Sequence, residues 1–232
     1  MITDIYIPDY VRKIITAFEG AGHEACAVGG CVRDTLLGRE PQDWDIATSA
    51  RPEQTKEIFR RTIDTGIKHG TVTVLMDGQA CEVTTYRVDG PYEDGRHPKQ
   101  VSFTPSLKED LARRDFTINA MAYSPALGLT DLFGGMEDLE RGIVRCVGEP
   151  RERFGEDALR IMRAVRFSAQ LGFDIDHDTE AACAALAPTL KNISAERVRE
   201  EMTKLLVSDE PGKVRTWGST PCVSWKMSDP RP

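Results

Sequence analysis

An α+β fold is predicted here: a small mixed β-sheet head over residues 1–140, then an all-helical neck over 141–207, with an atypical tail at 208–232. Three observations predict it. Apolar and β-branched runs at 26–28, 71–75 and 81–86 alternate with glycine turns in the first half. After Pro150 the spacing becomes helical, which puts a domain boundary between 140 and 150. Between the first strands lies AVGGCVRDTLLGREPQDWDIAT, residues 27–48, which joins a strand end, a double glycine, a helix-compatible run and an acid pair.

In chain order, residues 8–20 carry Val11, Ile14, Ile15 and Phe18 at helical spacing and end at Gly20 and Gly22. Residues 26–28 run as a strand into Gly29 and Gly30, and 32–37 form a helix stopped by Gly38. A second strand begins at Asp43 and Asp45. Residues 50–61 read as a helix opened by Pro52 and Glu53, both favourable in a first turn. The runs 71–75 and 81–86, joined by MDGQ, are a hairpin, with Glu82 on the face opposite Val83. VDGPYEDGRHPK, 88–99, has no apolar period and reads as a mobile loop holding a solvated His97. Residues 107–121 are helix-compatible, with Leu111, Phe116, Ile118 and Met121 inward. TDLFGG, 130–135, is the turn that ends the head, and 143–147 adds a short strand. Residues 151–172 read as one helix with Ala158, Ile161, Met162, Val165 and Ala169 as its core stripe. Two more helices, 180–190 and 195–206, complete the neck, with Ser194 as N-cap of the last.

The chemistry concentrates in a few places. Two acids one residue apart on a strand point to one face, and their charges call for a cation between them. Gly29 and Gly30 let backbone N–H groups approach an anion, and Arg33 adds a charged donor. Together these ask for a metal-bound nucleoside triphosphate. Asp157, Arg160, Arg163 and Arg166 recur every three residues as a charged ridge. Such a ridge is either a solvated face of ion pairs or a reader of base edges. An ionised Asp accepts from the amino groups of cytosine and adenine, while an Arg donates to their ring acceptors. Guanine and uracil present the opposite pattern.

Composition excludes several classes. With 232 residues, 40% apolar, 29% charged and a net charge of −7, the chain reads as an ordinary globular protein; any RNA surface is a local basic patch. Six cysteines without a CxxC pair or zinc-like spacing point to free thiols in a reducing compartment. No apolar run approaches the roughly 18 residues of a membrane span, and MITDIYIPDY lacks signal-peptide features, so a cytoplasmic protein is expected. No GxxxxGK[ST] occurs, which argues against a P-loop ATPase.

GGCVRD followed by DWDIAT resembles the nucleotidyltransferase superfamily that includes DNA polymerase beta, and within it the class of bacterial CCA-adding enzymes and poly(A) polymerases. RRDFTINAMA resembles that class's RRD motif, which implies that Arg114 contacts the triphosphate and that Asn119 supports the ribose or the glycine loop. EDALRIMRAVRF resembles the EDxxR motif of class II CCA-adding enzymes and their A-adding relatives. The resemblance implies base reading by Asp157 and Arg160 and further nucleotide contacts from Arg163 and Arg166. ISAERVREEM is similar to the next motif, where Glu196 and Arg197 buttress the base-reading helix. For residues 88–99 the class implies a loop that helps switch from C to A addition.

The resemblance covers residues 25–207 and stops beyond Ser208, where the class continues into body and tail domains that grip tRNA. It implies transfer of CMP and AMP from CTP and ATP to the 3′ end of tRNA, with two Mg²⁺ ions on Asp43 and Asp45 and Glu82 as a third carboxylate. Weak tRNA binding is expected without the body and tail. The alternatives are a poly(A) or A-only adding enzyme, which CTP incorporation separates, and a silent nucleotide-binding fragment.

Overall fold

Asp9–Gly20 (α1) forms where the helical spacing falls, and Val11, Ile14, Ile15 and Phe18 are all buried. The computed structural model describes residues 5–90 and 101–211. These divide into two compact units, one of 5–90 with 101–141 and one of 142–211.

In the first unit α1 is followed by Ala25–Val28 (β1), Gly30–Leu36 (α2), Asp45–Thr48 (β2), Pro52–Ile58 (α3), Thr62–Gly66 (β3), Thr71–Met76 (β4) and Gln79–Thr85 (β5). Arg87–Asp89 (β6), Val101–Phe103 (β7), Leu107–Ala112 (α4), Met121–Ser124 (β8), Gly128–Asp131 (β9) and Gly135–Arg141 (α5) complete it. Among the described residues seven strands form one sheet in the order β3-β4-β5-β2-β1-β8-β9, and β6 with β7 makes a separate ribbon. β2 runs parallel to β5 and the remaining neighbours are antiparallel, so the sheet is mixed. The β4–β5 hairpin turns on Asp77 and Gly78, both at positive φ (52° and 78°), as a two-residue primed turn requires.

α1 and α3 pack on each other and on β1 and β4, with Phe18 edge-on to Phe59 at 5.1 Å between ring centroids. A second cluster gathers Cys26, Val28, Ala47, Tyr86 and Ala122 under Leu111 of α4. Side chains alternate along a strand, so the face that carries Ala47 also carries Asp45.

Three local readings change. The helix expected over 50–61 ends at Ile58, and β3 follows; its residues are mostly exposed at the sheet edge, so they carry no apolar alternation to read. The helix expected over 107–121 stops at Ala112. A single 3-10 turn, Thr117–Asn119, follows it, and then β8, buried along its whole length between β1 and β9. A continuous apolar run of that kind fits helix or strand equally. Residues 88 and 89 of the expected loop belong to β6, while 91–99, with His97, lie outside the described residues.

α5 is held to the 3-10 turn by Thr117, whose hydroxyl donates to Asp138 at 2.6 Å. A Cβ on Gly135 would collide with the Thr117 carbonyl oxygen and lie 2.9 Å from Met121 Cγ. Gly135→Ala should therefore destabilise the unit by about 1–3 kcal/mol, the usual cost of overpacking. A thermal melt checks this, and an unchanged midpoint would mean that α5 shifts freely.

The second unit contains Ile143–Val144 (β10), Pro150–Glu156 (α6), Leu159–Leu171 (α7), Asp174–Ile175 (β11), His177–Leu186 (α8) and Ala195–Leu206 (α9). It is helical apart from a two-residue parallel bridge: the strand expected at 143–147 is β10, paired with β11. α7 packs on α9 and α6 on α8. The single helix expected over 151–172 is two, broken at Asp157 (φ −139°, ψ 102°), whose carboxylate accepts from the Leu159 N–H at 3.0 Å. Such a local side-chain bond competes with helix continuation. Ala158, Ile161 and Ala169 are buried as expected, but Met162 and Val165 are only half-buried. Ser194 stands at the N-cap of α9 without a capping hydrogen bond. Cys26, Cys31, Cys81, Cys146 and Cys183 are buried, and Cys222 lies outside the described residues. Among the described residues no helix is long and apolar enough to cross a membrane.

Candidate active site

Antiparallel pairing of β1 with β2 brings the glycine turn to the acid pair. Cys26 pairs with Ala47 and Ala27 with Ile46, and the same register, continued, sets Val28 beside Asp45 and Gly30 beside Asp43. β2 begins at Asp45, so Asp43 lies ahead of the ladder. The alternation nevertheless reaches it: Asp43 and Asp45 are exposed, Trp44 and Ile46 buried. Glu82 stands opposite Asp45 in the parallel register with β5, exposed between buried Cys81 and Val83.

Burial, followed by the neighbouring charges of Glu82 and Asp43, raises the Asp45 carboxyl above its ordinary range, and Arg114 acts against the rise. The side chain itself remains solvent-accessible, so screening by water limits the effect. Cys81 donates to the Trp44 carbonyl at 3.0 Å and so pins the backbone between the two acids. Its thiol is pushed well up by burial and then by Asp45, so it remains a protonated donor. Tyr10 of α1 reaches the same place: its phenol is raised by burial and by Cys81, Cys31 and Asp43.

Gly29 adopts φ 79°, ψ −129°, a conformation that side chains rarely allow. A Cβ there would meet Arg114 Nη1 at 2.8 Å, so the guanidinium lies directly on the turn. Gly30 has ordinary room, with Arg33 Nη2 at 3.6 Å from such a Cβ. Arg33 itself is 4% exposed and turned inward. Its Nη1 donates to Asn119 Oδ1 at 2.6 Å and its Nε to Asp34 at 2.8 Å, while Asn119 Nδ2 donates to Asp115 at 3.0 Å. Arg33 and Asn119 are thus bonded to each other beside the glycine turn, and Arg114 lies against Gly29.

This donor set fits a hard divalent cation. Asp43, Asp45 and Glu82 offer carboxylate oxygens on that face, and Asp45 carries the electrostatic cost that a cation would relieve. Among the described residues no three His, Cys, Asp or Glu side chains close into a ligand cage. Mg²⁺ is usually held that way, by one or two carboxylates with substrate phosphates and water.

In the second unit Asp157 lies between α6 and α7, and Arg197 of α9 grips it, Nη2 to Oδ2 at 2.9 Å. Arg160 is buried; its Nη1 donates to the Arg153 carbonyl and to Glu156, each at 3.0 Å. Arg166 is buried too, bonded to Glu201 at 2.6 Å and Gln170 at 2.8 Å, with its guanidinium 4.0 Å from the Phe167 ring centroid. Arg163 is half-buried, 3.8 Å from Glu201. Asp157 and Arg160 sit at the start of α7, but the ridge is no solvated face: Arg160 and Arg166 point inward. Glu196 is exposed, and among the described residues the acid that meets α7 from α9 is Glu201.

Sequence reasoning missed Asp110, Glu156 and Glu201. Asp110 is fully buried against Arg113 and Arg114 at i+3 and i+4, a spacing that could have signalled it. Glu201 meets Arg166 from 35 residues away and left no local signal.

Acids on a mixed sheet, a left-handed glycine and an arginine laid on that glycine define a nucleotidyltransferase-type head. Residues 25–145 match the poly A polymerase head domain, and 172–215 match the probable RNA and SrmB-binding site of polymerase A. The chain belongs to this poly A polymerase head family of nucleotidyltransferases. It is 55% identical over 200 residues to the CCA-adding enzyme of Lactiplantibacillus plantarum, covering 86% of this chain and 49% of that protein. With the CCA-adding enzyme of Enterococcus faecalis it shares 50% identity over 213 residues, 91% of this chain and 52% of that one. The crystal structure of the Bacillus stearothermophilus CCA-adding enzyme in complex with CTP superposes with a TM-score of 0.86 at 47% identity, over 93% of this chain and 52% of that chain. The Thermotoga maritima CCA-adding enzyme complexed with tRNA gives a TM-score of 0.76 at 28% identity, over 91% and 50%. The chain therefore spans about half the length of the curated relatives it matches.

Proposed function

We propose that this chain carries the nucleotide-transferring part of a CCA-adding enzyme, moving CMP and AMP from CTP and ATP to the 3′ end of tRNA with release of pyrophosphate. The observation that carries the reading is the placement of Asp45, Glu82 and Asp43 on one exposed face, with Arg114 laid on Gly29 beside them. Arg114 and the open backbone of the glycine turn bind the triphosphate, and Arg33 and Asn119 hold that turn in shape. Asp43 and Asp45 would hold two Mg²⁺ ions, with Glu82 adding charge beside them. When bound, Mg²⁺ lowers the pKa of the attacking 3′ hydroxyl and offsets the charge of the triphosphate and leaving pyrophosphate.

Asp157 and Arg160 select the base. Both are held in place, Asp157 by Arg197 and Arg160 by Glu156, so their bonding atoms are presented in fixed directions. The 1–140 head and 141–207 neck are thereby given separate tasks, chemistry and base choice. Incorporation of labelled CTP and ATP into tRNA lacking its CCA end tests the reading. Addition of both bases supports it, ATP alone would make the chain an A-only enzyme, and neither would leave a nucleotide-binding fragment.

Asp157→Ala should relax discrimination against GTP and UTP and weaken use of CTP and ATP together, each lost base-edge pair being worth about 1–3 kcal/mol. Competition assays with the four triphosphates check this, and wild-type selectivity would place base reading elsewhere.

A further inference from the structure

Asp110 is fully buried, yet it takes no part in the chemistry described above. One oxygen accepts from Arg113, Nε at 2.9 Å and Nη2 at 2.8 Å, and from the Arg87 backbone N–H at 3.3 Å, at the start of β6. The other oxygen accepts from Arg114 Nη2 at 3.3 Å, while the Nη1 of that same guanidinium is the atom lying on Gly29. A guanidinium is a rigid plane, so fixing one nitrogen fixes the direction of the other. Arg114 is thus clamped from behind by a carboxylate that solvent does not reach, and the clamp also ties the base of the β6–β7 ribbon.

From this geometry we infer that Asp110 is a positioning residue for triphosphate binding: it aims Arg114 across the glycine turn and anchors the root of the β6–β7 ribbon to the same point. The inference rests on Arg114 being the triphosphate contact proposed above. Burial alone would push the Asp110 carboxyl up, but the two guanidiniums outweigh it and hold the group below the usual range, so it is ionised at neutral pH. In its place a neutral side chain would remove the charged bonds that hold Arg113 and Arg114 at this point and loosen the hold on the Arg114 guanidinium at Gly29.

The test uses the full chain with Mg²⁺ and compares binding of CTP with that of CMP, which shares the base and sugar but offers one phosphate. Asp110→Asn should lower CTP affinity about tenfold or more, the scale of one charge-assisted contact, and change CMP affinity less than about twofold. In an Arg114→Ala background the same change should add nothing further, because both remove one interaction. CTP affinity at the parental level in folded Asp110→Asn, equal losses for CTP and CMP, or losses that add to those of Arg114→Ala would each overturn the proposal. If Arg114→Ala itself binds CTP normally, the underlying reading of Arg114 fails, and that outcome is distinct from the others. Should Asp110→Asn not fold, Asp110→Glu, which keeps the buried charge but displaces its oxygens, is judged by the same criteria. Failure of both variants to fold counts against positioning and for a purely structural role.

Discussion

Asp45→Asn should lower nucleotide transfer by roughly 10³-fold or more, the scale seen when metal-assisted charge stabilisation is lost. It should do so while the unliganded chain melts at the same temperature or higher. The two effects have opposite signs because the charge that serves the reaction is a burden to the fold. Burial first, then Glu82 and Asp43, raise the Asp45 carboxyl, with Arg114 only partly compensating. An acid whose folded pKa is raised binds more protons folded than unfolded between its unfolded value, about 3.9, and its folded value. Stability therefore falls as pH rises through that window, and the penalty is fully present above it. Any stabilisation by asparagine should appear only above the window and vanish below about pH 4. Its size is limited by solvent screening, since Asp45 is exposed. Asp43→Ala should behave alike in transfer. Turnover above about a hundredth of the parent's would sink the metal assignment, and a large fall in melting temperature would make Asp45 a structural residue.

Most of this site was legible because its parts are local. Gly29, Gly30, Asp43 and Asp45 fall within one short stretch, and the strand periodicity around them was readable from Trp44 and Ile46. Glu82 could be assigned a face from Val83 but not a partner. That it lies opposite Asp45 depends on a parallel pairing between strands 37 residues apart, which no spacing encodes. Arg33 shows the same limit. A charged residue just after a glycine turn reads as a ligand, but its bond to Asn119, 86 residues away, is encoded by no spacing.

The neck shows a second kind of limit. An apolar stripe running unbroken from Ala158 to Ala169 gave no warning of the break at Asp157, because the break comes from one aspartate capping its own downstream N–H. The arginine ridge was legible as a pattern but not as a location. Arg160 and Arg166 could be judged solvated only while their acids were unknown: half-buried Glu156 pairs with Arg160, and buried Glu201 pairs with Arg166.

Glu201→Gln should destabilise the second unit by about 3–5 kcal/mol, the usual cost of breaking a buried pair from one side. Arg166 would keep its charge, its burial and its place against Phe167, but would lose the Glu201 carboxylate at 2.6 Å. Gln170 is neutral and cannot replace it, and Arg163 would lose its acid neighbour at the same time. The damage should appear as faster amide exchange in α7 and α9, the helices that this pair joins. Replacing both partners with apolar residues of similar size, Arg166→Met with Glu201→Leu, should recover most of the stability, since well-packed apolar substitutes for a buried pair are often neutral or better. That double variant separates two roles for Arg166. The bonds of Arg166 to Glu201 and Gln170 and its place on the Phe167 ring predict that the double variant binds CTP as the parent does. If stability returns but CTP affinity does not, Arg166 touches the nucleotide after all, as its place in the sequence pattern implied. If Glu201→Gln leaves exchange in both helices unchanged, the pair contributes little to the packing of α7 on α9.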